Sequence, residues 1–190
     1  MGGEPDMHGL VTLLPSPHYE LVEAVWKELE EDCGLRGIKV TPYPHFSWQI
    51  AQDYDFPSLE QVMHSIATSV SPLQLRTTGI GIFTGPRPVI FIPLVKTAEL
   101  IELHTTIWER TQEVAHGLSP YYSPEVWMPH ISLAYDDVDK SNIAGVMAKL
   151  AFRSFTWEML IDNIALIYEP SGETGRLEYQ FNFSAPAARL

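Results

Sequence analysis

Two periods of apolar spacing divide the chain. Residues 8–14 (HGLVTLL) alternate as a strand does, and Pro15 stops them. Over residues 17–32, Leu21, Val22, Val25, Trp26 and Leu29 recur at helical spacing with acids opposite, which predicts a helix with Trp26 in the core. Ser16 reads as its N-cap, Pro17 as its first residue, and Gly34 follows its end. Residues 37–40 read as a short strand, 53–57 as a turn, and 58–70 as a second amphipathic helix carried by Leu59, Val62, Met63 and Ile66. A strand-rich block at 73–78, 80–83 and 89–94 is punctuated by Gly79, Gly81 and Gly85-Pro86. The longest helix is expected over 97–116, with Gly117 beyond it. After an irregular, aromatic loop at 118–128, a helix at 138–150 precedes strands at 153–157, 159–168 and 177–183, and a loose tail at 184–190. The order βαββα–βββα–βαβββ predicts an α+β fold.

One short pattern is written twice. Pro44-His45-Phe46-Ser47 and Pro129-His130-Ile131-Ser132 each run on into a strand-like segment. Residues two apart on a strand share a face, so His45 sits beside Ser47 and His130 beside Ser132, while Phe46 and Ile131 turn inward. Requiring Pro, His, an apolar residue and Ser in that order leaves roughly 0.03 chance matches per chain of this composition. His104-Thr105 lies in a helical pattern, where residues two apart do not share a face, and is set aside as a decoy. His8 and His64 are expected in solvent. Both motif strands are expected to be central in antiparallel sheets.

The doubled motif, one copy in each half of the chain, resembles the two-histidine (2H) phosphoesterase superfamily, which includes 2′-5′ RNA ligase-like proteins and cyclic nucleotide phosphodiesterases. The resemblance spans residues 9–183. It implies two pseudo-symmetric lobes of antiparallel sheet backed by helices, with the site in the cleft between them. Two departures stand out. Ser replaces the more frequent Thr, keeping the hydroxyl but losing β-branched stiffness at χ1. Tyr135-Asp136-Asp137 follows motif two where relatives often carry a basic residue.

The chemistry follows from the residue types. In-line displacement at phosphorus puts the entering and leaving oxygens on opposite sides. One neutral imidazole can take a proton from water while one imidazolium gives a proton to the leaving oxygen. Ser47 and Ser132 would donate to the non-bridging oxygens as charge builds there. His45 and His130 are thus the candidate acid/base pair, and a strained 2′,3′-cyclic phosphate suits them. Further candidate substrate contacts are Arg87, between two prolines; Tyr43, before motif one; and Tyr121, Tyr122 and Trp127, as a base-stacking wall. No cofactor or metal is expected: the residue two after each motif His is Ser, and neither HxD nor HExxH occurs. The alternatives are a nucleotide-binding module with little turnover, a metallo-phosphoesterase, and a serine hydrolase, the last lacking its G-x-S-x-G.

Composition narrows the partners. A chain of 190 residues, 45% apolar and 19% charged, suits one two-lobed soluble domain. The lone Cys33 fits a reducing compartment, residues 1–6 carry no secretory pattern, and no apolar run reaches membrane-span length. A cytoplasmic monomer is expected. Twelve basic residues against 24 acidic ones leave a net charge of −12 without any Lys/Arg run. Long RNA requires many neutralised phosphates, so the expected partner is a small nucleotide-type phosphoester.

Overall fold

A computed structural model describes residues 6–185. The expected leaderless start, 1–6, and loose tail, 184–190, lie mostly outside them. Ser184 and Ala185, the described part of that tail, donate to the carbonyls of Ala67 and Val70 at 2.9 and 3.2 Å. The elements are β1 (Met7–Leu13), α1 (His18–Cys33), β2 (His45–Ala51), β3 (Asp53–Tyr54), α2 (Phe56–Ser69), β4 (Leu73–Arg76), β5 (Gly81–Phe83), β6 (Val89–Pro93), α3 (Ala98–Thr111), β7 (Ala115–His116), β8 (His130–Ala134), α4 (Ile143–Leu150), β9 (Glu158–Ile161), β10 (Asn163–Glu169) and β11 (Arg176–Asn182).

All named pairings are antiparallel, and the sheets form two lobes. One lobe is built on the order β11-β10-β1-β2, the other on β5-β6-β8 with the β4-β9 pair alongside. Here the sequence expectation is corrected: β2 and β8, the motif strands, end their sheets rather than lying in the middle. The two edges approach each other across the lobe boundary. Helices α2 and α3 back the four-stranded sheet. Helix α1 leaves that sheet to pack on β8 of the other lobe, with α4 beside it. One continuous buried apolar cluster runs through both lobes.

Other departures have local causes. Residues 37–40 form a 3₁₀ turn, because the Asp137 carboxylate accepts from the Arg36 and Gly37 amides at 2.5 and 2.6 Å and removes them from any ladder. The helix expected over 97–116 stops at Thr111, passes through a 3₁₀ turn and ends as β7 against β3. The expected turn at 53–57 is thereby split between β3 and the first turn of α2. Helix α4 starts five residues late, since the Asp139 carboxylate folds Ser141 and Asn142 into a tight turn. Residues 153–157 form no strand; Thr77 and Trp157 instead exchange backbone and hydroxyl bonds. The strand expected over 159–168 breaks at Asp162, where the chain crosses from one lobe to the other. Ser16 caps nothing; its hydroxyl donates to Glu20 across a cis Ser16-Pro17 bond. Gly34 does close α1, in the left-handed conformation.

A buried aromatic column joins the lobes. His104, 1% exposed, stacks on Trp127 at 3.8 Å and 5°, and Trp127 stacks on Trp48 at 5.5 Å. His104 Nε2 donates to the Trp48 carbonyl at 3.0 Å. Burial pushes this imidazole down to about 4, so it stays neutral. His104 is therefore a structural residue of the core, which agrees with its being set aside as a motif decoy.

Two stability outcomes follow. His104→Ala opens this column and should lower unfolding free energy by about 2–4 kcal/mol in urea melts; a loss below about 0.5 kcal/mol would contradict the packing described. Gly37→Ala places a Cβ 2.0 Å from the Tyr135 carbonyl oxygen, whereas Gly145, inside α4, has open space around it. Thermal melts should show Gly37→Ala destabilised and Gly145→Ala unchanged or stabilised by up to about 1 kcal/mol.

Candidate active site

The two motif strands match residue by residue. Each carries a β-bulge directly after its Ser: Trp48 is skipped in the pairing of β2 with β1, and Leu133 in that of β8 with β6. The bulge turns two successive residues inward, so both strands read half-buried, buried, half-buried, buried, buried from the His onward. His45 and Ser47 on one side, and His130 and Ser132 on the other, are left facing the cleft.

The prolines explain how each ring is aimed. A residue before Pro is extended, so the carbonyl two residues before each His turns toward that imidazole. His45 Nδ1 donates to the Tyr43 carbonyl at 2.5 Å, and His130 Nδ1 to the Met128 carbonyl at 2.7 Å. Because a carbonyl only accepts, both Nδ1 atoms carry a proton, and in the neutral ring Nε2 holds the lone pair. The Ser carbonyls are held in parallel fashion: Trp127 Nε1 donates to the Ser47 carbonyl and Trp26 Nε1 to the Ser132 carbonyl, each at 3.0 Å.

All four side chains line one cavity of about 240 Å³, with Thr41, Tyr122, Tyr135 and Glu169 on its walls. Burial pushes the His45 imidazole down to about 4, opposed by the Tyr43 carbonyl and assisted by the His130 charge. Burial also lowers His130, against the Met128 carbonyl, but the larger displacement is at His45. Burial thus holds both rings toward the neutral form, and a charge on His130 further disfavours one on His45.

Two larger spaces flank this cavity. One, of about 700 Å³, adjoins His130 and Ser132 and is walled by Ile82, Phe83, Val89, Tyr121, Val126 and Met128. Phe83 and Phe91 stack at 4.1 Å and both rings touch His130, at 4.9 and 5.1 Å. The other, of about 710 Å³, carries Arg36 and Lys39 but also Asp136, Glu169 and Glu173. Both cations are ion-paired with Glu30, so this side offers little free positive charge.

The remaining sequence candidates fall in different places. Tyr122 lines the central cavity together with Ser47. Tyr121, 80% exposed, lies at the rim of the apolar space. Trp127, by contrast, is 2% exposed and committed to His104 and Ser47, so it cannot stack on a base. The Tyr43 ring packs outward against Val11, Ala165 and Ile167, and only its carbonyl serves the site. Arg87 pairs with Asp136 at 2.6 Å on the surface and is not on the cavity wall. His8 is buried rather than solvated, stacked on Tyr168 at 4.6 Å with Nδ1 donating to the Gln52 carbonyl; His64 is exposed as expected. Sequence reasoning missed Thr41, Phe83, Phe91 and Glu169 at the cleft, and the role of Trp26 behind it. Alternation within the strands marks Phe91 as inward, but nothing local marks the others. Among the described residues, no group of three or more His, Cys, Asp or Glu is arranged to hold a metal ion, and no helix is long and apolar enough to cross a membrane.

Known proteins are similar to this chain in sequence and fold. Residues 17–173 match the family described as the 2′-5′ RNA ligase superfamily. A protein of Bacillus cereus (strain B4264) bearing a provisional phosphoesterase name is 26% identical over 131 residues, covering 69% of this chain and 72% of its own. A similarly named Bacillus mycoides (strain KBAB4) protein is 25% identical over the same length and shares. The fold is similar to TT0787 of Thermus thermophilus, with TM-score 0.67 and 17% identity over 93% of this chain and 97% of that one. It is also similar to Escherichia coli LigT, solved with 3′-AMP, with TM-score 0.58 and 14% identity over 95% and 99%. The family match runs through both histidine strands, and the fold agrees with it: the chain belongs to the 2′-5′ RNA ligase superfamily, the two-histidine phosphoesterases.

Proposed function

We propose that the protein is a metal-independent phosphodiesterase that opens 2′,3′-cyclic phosphates or related cyclic nucleotide phosphoesters. The observation that carries this reading is the pair of matched His-x-Ser strands lining one cavity of about 240 Å³. His45, the more depressed imidazole, is the general base: its Nε2 takes a proton from water as the water oxygen bonds to phosphorus. His130 is the general acid: as the bond from phosphorus to the ribose oxygen breaks, its Nε2 proton passes to that oxygen. Ser47 and Ser132 donate to the non-bridging oxygens. Proton transfer and phosphate orientation both come from side chains, so no step calls on a metal.

The flanking spaces support a small substrate. The apolar space beside His130 suits a nucleobase, with Tyr121 and Phe83 as stacking partners in place of Trp127. That LigT was solved with 3′-AMP agrees with a mononucleotide of this kind. The charged space opposite carries three carboxylates against two cations already paired with Glu30, which disfavours a polyanionic chain.

Phosphorus NMR with a panel of 2′,3′-cyclic mononucleotides and ADP-ribose 1″,2″-cyclic phosphate tests the reading and reports regiochemistry. Conversion of the cyclic ester to a monoester is expected, undiminished after EDTA treatment. His45→Ala and His130→Ala should each reduce turnover by about 10²–10⁴-fold, with the double variant little worse than either. Binding without conversion of any member would favour a nucleotide-binding module instead.

The pH profile tests the assignment of roles. kcat/KM requires His45 neutral and His130 charged. It should fall as His45 protonates near pH 4 and fall again as His130 deprotonates, below its ordinary value of 6.5. The maximum in kcat/KM is thus expected on the acid side of neutrality. The alkaline limb of kcat should lie higher, because a bound phosphate anion stabilises the imidazolium. A kcat/KM maximum at or above about pH 8 would refute the assignment.

A further inference from the structure

Glu169 stands on the wall that the central cavity shares with the charged space. It ends β10, half-buried, where it pairs in register with Met7 of β1. The Thr41 hydroxyl donates to its Oε2 at 2.6 Å and holds the carboxylate beside the entry to β2. The neighbouring backbone is tied down as well: the Gly175 amide donates to the Val40 carbonyl at 2.6 Å, and the Ser171 amide to the Asp6 carboxylate at 2.8 Å. Neither imidazole depends on Glu169, because both Nδ1 atoms are committed to backbone carbonyls. A carboxylate beside a phosphate cavity repels the phosphate, so its place there is explained by another part of the substrate.

The shape of a ribose 2′,3′-cyclic phosphate says which part. The nucleobase on C1′ and the 5′ arm on C4′ leave the sugar at opposite ends, with the cyclic phosphate between them. With the phosphate among the two motif His-Ser pairs and the base in the apolar space beside His130, the 5′ arm runs toward the charged space, where Glu169 stands. An ionised carboxylate only accepts hydrogen bonds. It can take one from a free 5′-hydroxyl, and such a charge-assisted bond is about twice as strong as a neutral one. A 5′-phosphate or phosphodiester brings like charge instead. The cations of that space, Arg36 and Lys39, are paired with Glu30 and do not offset it.

We propose that Glu169 is the specificity-determining residue for the 5′ end: its carboxylate accepts a hydrogen bond from the free 5′-hydroxyl of a nucleoside 2′,3′-cyclic phosphate and turns away substrates phosphorylated at that position. Oligonucleotides carry a phosphodiester there and are poor substrates for the same reason, whatever their length. The class of reaction that supplies the favoured substrate is RNA strand cleavage by attack of a ribose 2′-hydroxyl on its own 3′-phosphodiester. That cleavage leaves a cyclic phosphate on one fragment and a 5′-hydroxyl on the next, so repeated cleavage ends in mononucleotides bearing both. The proposal rests on the reading of the cavity as a cyclic phosphodiesterase site, and the test separates the two.

Adenosine 2′,3′-cyclic phosphate, its 5′-phosphorylated form and its 5′-deoxy form are compared as substrates by phosphorus NMR for the wild type, Glu169→Gln and Glu169→Ala. The wild type is expected to favour the 5′-hydroxyl over the 5′-phosphate by about tenfold or more in kcat/KM, as like charges do across a partly screened site. Loss of the 5′-hydroxyl should cost the wild type about five- to tenfold, the worth of one hydrogen bond, and cost Glu169→Ala nothing. Glu169→Gln keeps an acceptor for Thr41 and removes only the charge. It should raise kcat/KM for the 5′-phosphorylated substrate by about tenfold. Equal or faster turnover of the 5′-phosphorylated substrate by the wild type overturns the proposal. So does a preference that Glu169→Gln leaves in place, or a 5′-deoxy substrate as good as its parent. The same comparison is read in binding, by calorimetry with 3′-AMP and adenosine 3′,5′-bisphosphate. A protein that turns over no cyclic phosphate overturns the phosphodiesterase reading yet still decides the role of Glu169: tighter binding of 3′-AMP, with the gap closed in Glu169→Gln, upholds it, and equal binding, or none, overturns it.

Discussion

Everything at the cleft depends on two sheet edges that face each other without pairing. An edge strand presents unsatisfied carbonyls that favour a further strand. At β2 and β8 the carbonyl of each motif serine is instead occupied by an indole N–H, from Trp127 and Trp26. With those carbonyls engaged, and with a bulge after each serine bending its strand, the two edges approach without pairing. A ladder between them would fill the space that holds the two imidazoles. The tryptophans are therefore part of the site's geometry although neither lines its cavity.

The electrostatics follow from that enclosure. Two imidazoles in one small, half-buried cavity disfavour a second positive charge, and each is also depressed by loss of water. Their Nδ1 protons are committed to carbonyls, so both rings offer only Nε2 to a ligand. A pair constrained in this way holds one proton more readily than two, the state that paired acid and base catalysis requires. The acidic surroundings do not oppose this. They leave the cleft suited to one phosphate rather than to many, because the cations of the adjoining charged space are already engaged by Glu30.

The lobes are joined by exchange rather than by a linker. Helix α1 follows β1 yet packs on β8, and the chain returns between β9 and β10. Trp26 rides on that crossing helix, which is how a residue early in the chain comes to hold the second motif. The Trp48–His104–Trp127 column crosses the same boundary from the other side. Moving one lobe against the other would strain both, so the cleft is set by buried packing.

Local sequence determined the motif strands, their inward and outward faces, most helices and the choice of His45, Ser47, His130 and Ser132 as candidates, which line one cavity. Alternation with period two and helical spacing are properties of neighbouring residues, and a doubled short motif is visible without any fold. The α+β class followed from element order, and the resemblance to two-histidine phosphoesterases implied the two lobes. Tertiary structure alone decided the rest. Residues 37–40 became a 3₁₀ turn because a carboxylate 100 positions away captures two amides, and Trp127 became core because His104 stacks on it. Arg87 was drawn to Asp136 rather than to the cavity, and the motif strands became edges because α1 carries the chain to the other lobe. Each of these outcomes is fixed by contacts between residues far apart in the chain, and such contacts leave no period in the sequence to read.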